Sequence, residues 1–239
     1  MTGSPPLDRV LEFINTQASP TPEASSTSPE GRHPPVITIS RQAGAGAWQV
    51  AEELIRRLQE QTPAGSRPWT VFDRNLVEEV LEDHHLPARL ASAMPEDRVS
   101  EIADTLEELF GLHPSARTLA HNTAETILRL AALGNVVVIG RGANIITSKV
   151  DAAFHVRLVG SLPNRVHRVM ASAQLDEEAA TASVRDKDLG RARYVKKYYG
   201  EDIDDPLLYD LVINTDRVPY AVAARIIADA VRARSHGRG

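Results

Sequence analysis

Four short apolar runs constrain this chain more than any other feature: Val36–Ile39, Val136–Ile139, Phe154–Val159 and Leu211–Ile213. Val136–Ile139 in particular has no polar alternate, which is the pattern of a strand buried on both faces. The run Thr70-Val71-Phe72, closed by Asp73, reads as a further minimal strand. Helical patterning follows most of these runs. Val50, Leu54 and Leu58, with Ile55 beside them, form one face of a helix that ends near Gln61, before Pro63, Gly65 and Pro68. Residues 165–172 and 220–231 repeat the pattern, and residues 86–133 read as helical, interrupted near Pro95 and near Gly111–Pro114. Strands alternating with helices predict an α/β fold: a parallel sheet covered on both faces, with every strand's carboxyl end, and hence the ligand cleft, along one edge.

The sequence divides unevenly. Residues 1–35 hold seven of the 15 prolines, and Ser and Thr are dense from Thr16 to Ser28. Such a segment has too little apolar surface to offset its ordering entropy. The expectation is a disordered tail over 1–35, with one or two amphipathic turns at 7–15 (Leu7, Val10, Leu11, Ile14). These turns are either a frayed end or a docking helix for a partner or a second subunit. A folded domain over 36–231 and a loose end over 232–239 complete the division. The chain has 239 residues, 27 Lys+Arg against 32 Asp+Glu, and a net charge of -5, which argues against bulk nucleic-acid binding. With no cysteine, disulfides, thiolate catalysis and Cys-ligated zinc are excluded. No apolar stretch has the length of a membrane span and no signal peptide is visible, so the expected location is cytoplasmic.

Candidate chemistry gathers at the predicted strand ends. The first strand runs into Ser40, Arg41, Gln42, Ala43, Gly44, Ala45, Gly46, Ala47 and Trp48, then a helix. Strand, glycine loop and helix N-terminus is an arrangement that aims backbone N–H groups at a phosphate; it also serves as a plain tight turn. The Walker pattern is not met, because Ala47 stands in the lysine position, and the dinucleotide pattern fails at Gln49. Asp73 would suit a ribose-binding acid. Arg141 stands between Gly140 and Gly142, either facing the cleft or in a surface ion pair. Arg185, Asp186, Lys187, Asp188, Arg191, Arg193, Lys196 and Lys197 form the densest charge run. It is either a solvated helix or a set of guanidiniums converging on a polyanion, with Asp186 and Asp188 holding them in place. Arg165 and the pair Asn214-Thr215 complete the set; the latter also suits a turn or helix cap.

From about Val36 to Val231 the chain resembles the cytidylate kinase-like family, a branch of the P-loop nucleoside monophosphate kinases. The stretches that carry the resemblance are Ile37–Gln42 with the following glycines, Val138–Ala143, Arg157–Val159 with Arg165, Asp186–Asp188 running on to Arg191, Tyr194 and Lys196–Tyr199, and Tyr209–Thr215. The resemblance implies a three-layer, five-stranded parallel core with a helical NMP-binding insertion (74–133) and a mobile lid (184–199). It implies transfer of the ATP γ-phosphoryl group, with Mg²⁺, to an NMP, CMP or dCMP preferred. Arg41, Arg185, Arg191 and Arg193 would then be catalytic. Ser40, Gln42, Gly44, Ala45, Gly46, Ala47 and Trp48 would bind the ATP phosphates. Asp73, Arg141, Arg165 and Asp188 would bind the NMP, and Asn214 and Thr215 would lie on the adenine side. The chain departs from the parent kinases where Ala47 and Gln49 replace the lysine and the magnesium-holding Ser/Thr, and where Gly142 replaces an Asp. Arg41 is the nearest candidate to replace the lysine. Two other functions compete: a nucleotide sensor or partner-binding protein without kinase activity, and a dinucleotide-binding oxidoreductase.

Overall fold

A computed structural model describes residues 34–62, 68–73, 96–110 and 119–236. The expected tail with its turns at 7–15, and the first part of the helical region, 74–95, lie outside the described residues. The elements in order are β1 (Val36–Arg41), α1 (Ala47–Glu60), β2 (Thr70–Phe72), α2 (Glu96–Phe110), α3 (Leu119–Leu133), β3 (Val136–Ile139), α4 (Ala143–Ile146), β4 (Ala153–Val159), α5 (Leu162–Ala173), α6 (Glu177–Tyr199), β5 (Leu211–Asn214) and α7 (Tyr220–His236), with a 3₁₀ turn at Pro206–Leu208. The strands form one sheet in the order β2-β3-β1-β4-β5, and every neighbouring pair is parallel.

Alternation along the strands sends side chains to two separate cores. Ile37, Ile39, Val137, Ile139, Val156, Leu158 and Ile213 pack against Val50, Leu54 and Leu58 of α1 and Ala223, Ala224 and Ile227 of α7. Val36, Phe72, Val136 and Val138 face the other way, onto Leu106 of α2, Ala124, Ile127 and Leu130 of α3 and Ile146 of α4. Both faces of the central strands are covered, which is why β3 reads as an uninterrupted apolar run. The observed strands match the five sequence runs to within two residues at each end; β1 runs on from Ile39 to Arg41.

Two boundaries differ from expectation. The last helix does not end at Val231 but runs to His236. Arg232 pairs with Asp229 one turn back, and Arg234 bonds the carbonyl of Ala153 and the carboxylate of Asp210 while its guanidinium lies 4.8 Å from the Phe154 ring centre. These long side chains anchor a segment whose composition alone reads as a loose end. The charge run expected as a lid over 184–199 is the C-terminal part of one 23-residue helix that begins at Glu177, capped by Asp176 through the Ala179 N–H.

Candidate active site

Parallel strands bring the segments after β1, β3 and β4 to one edge. The loop after β1 is tight. The Gln42 N–H donates to Leu158 O at 3.0 Å, and the Gln42 side-chain oxygen accepts from the Gly160 N–H at 3.0 Å. Gly44 (φ 76°) and Gly46 (φ 78°) are left-handed, and Gly46 caps α1 without a side-chain bond. A Cβ on Gly44 would strike the carbonyl of Arg165, so the position requires glycine for close backbone approach as well as for its φ. Ala47 is the first residue of α1 and is buried; Trp48 is exposed.

Across the sheet edge lies a cleft of about 480 Å³. Ser40, Arg41, Arg141 and Asn144 form its sheet side; Asp186, Lys187, Arg191 and Tyr194 of α6 form the opposite wall, with Ile203 beside them. Among the described lining residues, four cations face one carboxylate, a composition suited to a polyanion. Arg141 is itself left-handed (φ 58°), uncommon for a side-chain-bearing residue, and its guanidinium lies 5.7 Å from the Tyr194 ring centre. Gly142 is explained by the same contact region: a Cβ there would run into the ring of Tyr199, whose hydroxyl reaches Arg141 O at 3.5 Å. Burial pushes the Tyr199 phenol well above its ordinary range. Burial likewise lowers Arg191 from the usual guanidinium value, opposed by Asp188 and reinforced by the charges of Arg157 and Arg165. An arginine stays cationic through such a shift.

The sequence-predicted arginines therefore separate. Arg41, Arg141 and Arg191 line the cleft. Arg41 lies against the Gly140 turn, on the β3 side, where a Cβ on Gly140 would overlap its Nη1. Arg165 is buried beneath the loop, with Nε on Gly160 O, and Nη1 on Ala43 O and Asp188 Oδ2. Arg185 and Arg193 are exposed and do not line the cleft. At about 100° per residue, Arg193 stands some 200° around the helix from Arg191, so the two arginines face opposite ways. Asp188 binds the Ala43 N–H rather than the cleft. Asp73 follows β2, outside the cleft walls. Asn214 and Thr215 form a turn. Asn214 Oδ1 accepts from the Asp216 N–H, and buried Thr215 is held by Arg168, which also reaches Gly44 O.

Several residues carry no individual site role in the sequence reading. Arg157, only 4% exposed on β4, donates Nη1 to Ser40 Oγ at 2.9 Å, pairs with Asp204 and lies 5.6 Å from the Tyr209 ring centre. A charged residue inside an apolar run, Val156-Arg157-Leu158, was the signal for it. Arg168, with Asp216 and Tyr220, buttresses the loop from the far side. Lys187 and Tyr194 belong to the helical face that carries Arg191.

The sequence pattern of the cytidylate kinase-like family matches residues 36–217. A curated cytidylate kinase from Methanoculleus marisnigri is 27% identical over 100 residues, 42% of this chain; the chain spans about half (54%) of that relative's length. A solved structure of an uncharacterized protein from Eubacterium ventriosum superposes with a TM-score of 0.65 at 21% identity, over 83% of this chain and 98% of that one, and shares the fold. Among the described residues, no helix is long and apolar enough to cross a membrane. With a match over three-quarters of its length, order of strand-end motifs included, the chain belongs to the cytidylate kinase-like family.

Proposed function

We propose that this protein is a nucleotide kinase that transfers the γ-phosphoryl group of ATP to a nucleoside monophosphate, with CMP or dCMP as the preferred acceptor. The observation that carries the reading is the cleft: Arg41 and Arg141 from the sheet edge oppose Lys187 and Arg191 from α6 beside a glycine loop. An acceptor phosphate between these walls would meet the guanidiniums of Arg41 and Arg141. Its oxygen attacks the γ-phosphorus, the bond to the β-bridging oxygen breaks, and ADP leaves. Charge spreads over the transferring group, and Arg191 and Lys187 are suited to neutralise it. The residues serve by positioning and electrostatics rather than by covalent chemistry. Asp186 is the cleft carboxylate suited to hold Mg²⁺ or one of its waters, with most ligands supplied by the nucleotide's phosphates, and the ion would add positive charge at the transferring group. The preference for a cytosine base rests on family membership.

A second reading is nucleotide binding without transfer. Ala47 favours it: the first residue of α1 is a buried methyl group where a phosphate-binding lysine would stand. Mg-ATP with each common NMP and dNMP in turn, with NDP products separated by ion exchange, tests both readings. CDP formed at enzyme-like rates supports the first; tight nucleotide binding with no NDP from any acceptor supports the second.

A further inference from the structure

Asp188 stands one helical turn before Arg191 on α6, yet it reaches into the loop after β1. Its Oδ1 accepts from the backbone N–H of Ala43 at 2.7 Å, and its Oδ2 accepts from Arg165 Nη1 at 2.6 Å. Arg191 Nη1 adds a longer contact to Oδ1, 3.3 Å. The same Arg165 Nη1 donates to Ala43 O at 2.9 Å, and Arg165 Nε donates to Gly160 O at 2.9 Å. Both backbone polar groups of Ala43 are thus held, the N–H by α6 and the carbonyl by α5. Ala43 also packs with Val166 of α5 and Ala180 and Val184 of α6 in a small apolar cluster. The next residue is Gly44, whose left-handed backbone is pressed against the carbonyl of Arg165.

A carboxylate is the group this junction needs. Two oxygens must accept from an N–H and from guanidiniums, and an amide offers one acceptor oxygen and turns its NH₂ toward Arg165. Neither Asp188 nor Arg165 is among the residues that line the cleft.

We propose that Asp188 and Arg165 are positioning residues that couple the seating of helix α6 to the shape of the glycine loop. The loop holds its form when α6, and with it Arg191 and Lys187, is docked. Loop geometry and the cationic wall are therefore set together. The consequence for catalysis rests on the kinase reading; the coupling itself does not.

Hydrogen exchange on the full-length, nucleotide-free protein tests the coupling. Asp188→Asn is expected to speed exchange of the Ala43 amide about 10-fold or more, the loss of one charge-assisted bond. Asp188→Glu, which keeps the charge on a longer arm, is expected to restore part of the protection, and it serves as the comparison should Asp188→Asn not fold. Arg165→Met combined with Asp188→Asn is expected to be no faster than the faster single variant, because the two side chains act as one unit. In turnover, Asp188→Asn is expected to lower kcat about 10-fold with the acceptor KM within about 2-fold, since a positioning group does not hold the acceptor. Unchanged Ala43 exchange with α6 still helical overturns the proposal, as does a raised acceptor KM with kcat intact. Exchange that responds as expected in a protein with no turnover upholds the coupling and counts against the kinase reading alone.

Discussion

Arg157 and Ser40 are register partners on adjacent parallel strands, and the Arg157 guanidinium donates to the Ser40 hydroxyl at 2.9 Å. Tyr209 Oη lies 3.2 Å from the same hydroxyl and 2.8 Å from Ile203 O. Tyr209 Oη donates toward Ser40 Oγ and the Ile203 carbonyl, and the Arg157 guanidinium donates to the same Oγ. Ser40 Oγ thus accepts from the sheet side, and its own hydroxyl proton is free to turn toward the cleft it lines.

Ser40→Ala is expected to lower stability by about 1 kcal/mol, because the buried Arg157 guanidinium loses an acceptor. Arg157→Met is expected to cost about 1–3 kcal/mol of stability, since it leaves the buried serine and tyrosine network short of a donor while exposed Asp204 simply hydrates. Urea unfolding measures both effects.

Gly44 and Gly140 both have positive φ but meet different obstacles. A Cβ at Gly44 meets the backbone carbonyl of Arg165, which cannot move without α5; a Cβ at Gly140 meets the tip of Arg41, which can swing. Gly44→Ala is expected to cost about 2–3 kcal/mol and to abolish nucleotide binding. Gly140→Ala is expected to cost about 1–2 kcal/mol, the backbone strain alone, while displacing Arg41 and slowing turnover. Thermal unfolding beside turnover separates the two.

Arg191 and Arg193 differ by two positions and by a half turn of helix. Arg191→Ala is expected to reduce kcat about 10²–10³-fold, the usual worth of one preorganised charge donor at a transferring group. Arg193→Ala and Arg185→Ala are expected to stay within about 2-fold, as exposed arginines away from the cleft. Steady-state rates with saturating Mg-ATP give the comparison.

Asp216 has its carboxyl lowered to about 2, chiefly by hydrogen bonding to Ser161, with help from Asn164 and the charge of Arg168 against an opposing effect of burial. A depressed carboxylate contributes stability that is complete above its unfolded pKa, near 4, and is lost as pH falls through the folded value. Acid unfolding between about pH 4 and pH 2 is therefore expected to show a contribution that Asp216→Asn lacks. Stability measured against pH for both proteins checks it.

The sheet was legible because its strands are short and apolar: strand positions and parallel pairing follow from Val136–Ile139 and its counterparts, with helices between. Arg41, Arg141 and Arg191 were legible as cleft residues because each stands at a strand end or on the helix that faces one. Arg193 was not separable from Arg191 without knowing where the helix is anchored, since a run rich in charge has no apolar stripe to set its rotation. Only three residues of α6 are buried, Ala180, Val184 and Val195, too few to mark a face. Arg165 and Asp188 read as substrate ligands because, beyond their pairing with each other and with Arg191, their partners are backbone groups, Ala43 N–H and O and Gly160 O, which leave no trace in side-chain identity. Arg157 stood in a matching stretch but drew no role of its own, one cation inside a strand otherwise read for its apolar neighbours.

The most direct measurement is phosphoryl transfer from γ-labelled Mg-ATP to CMP, run side by side for the wild-type protein, Arg191→Ala and Arg193→Ala. Label appearing in CDP, lost with Arg191 and kept with Arg193, is the expected result. No labelled NDP from CMP or any other acceptor, in a protein that still binds nucleotide, would contradict it.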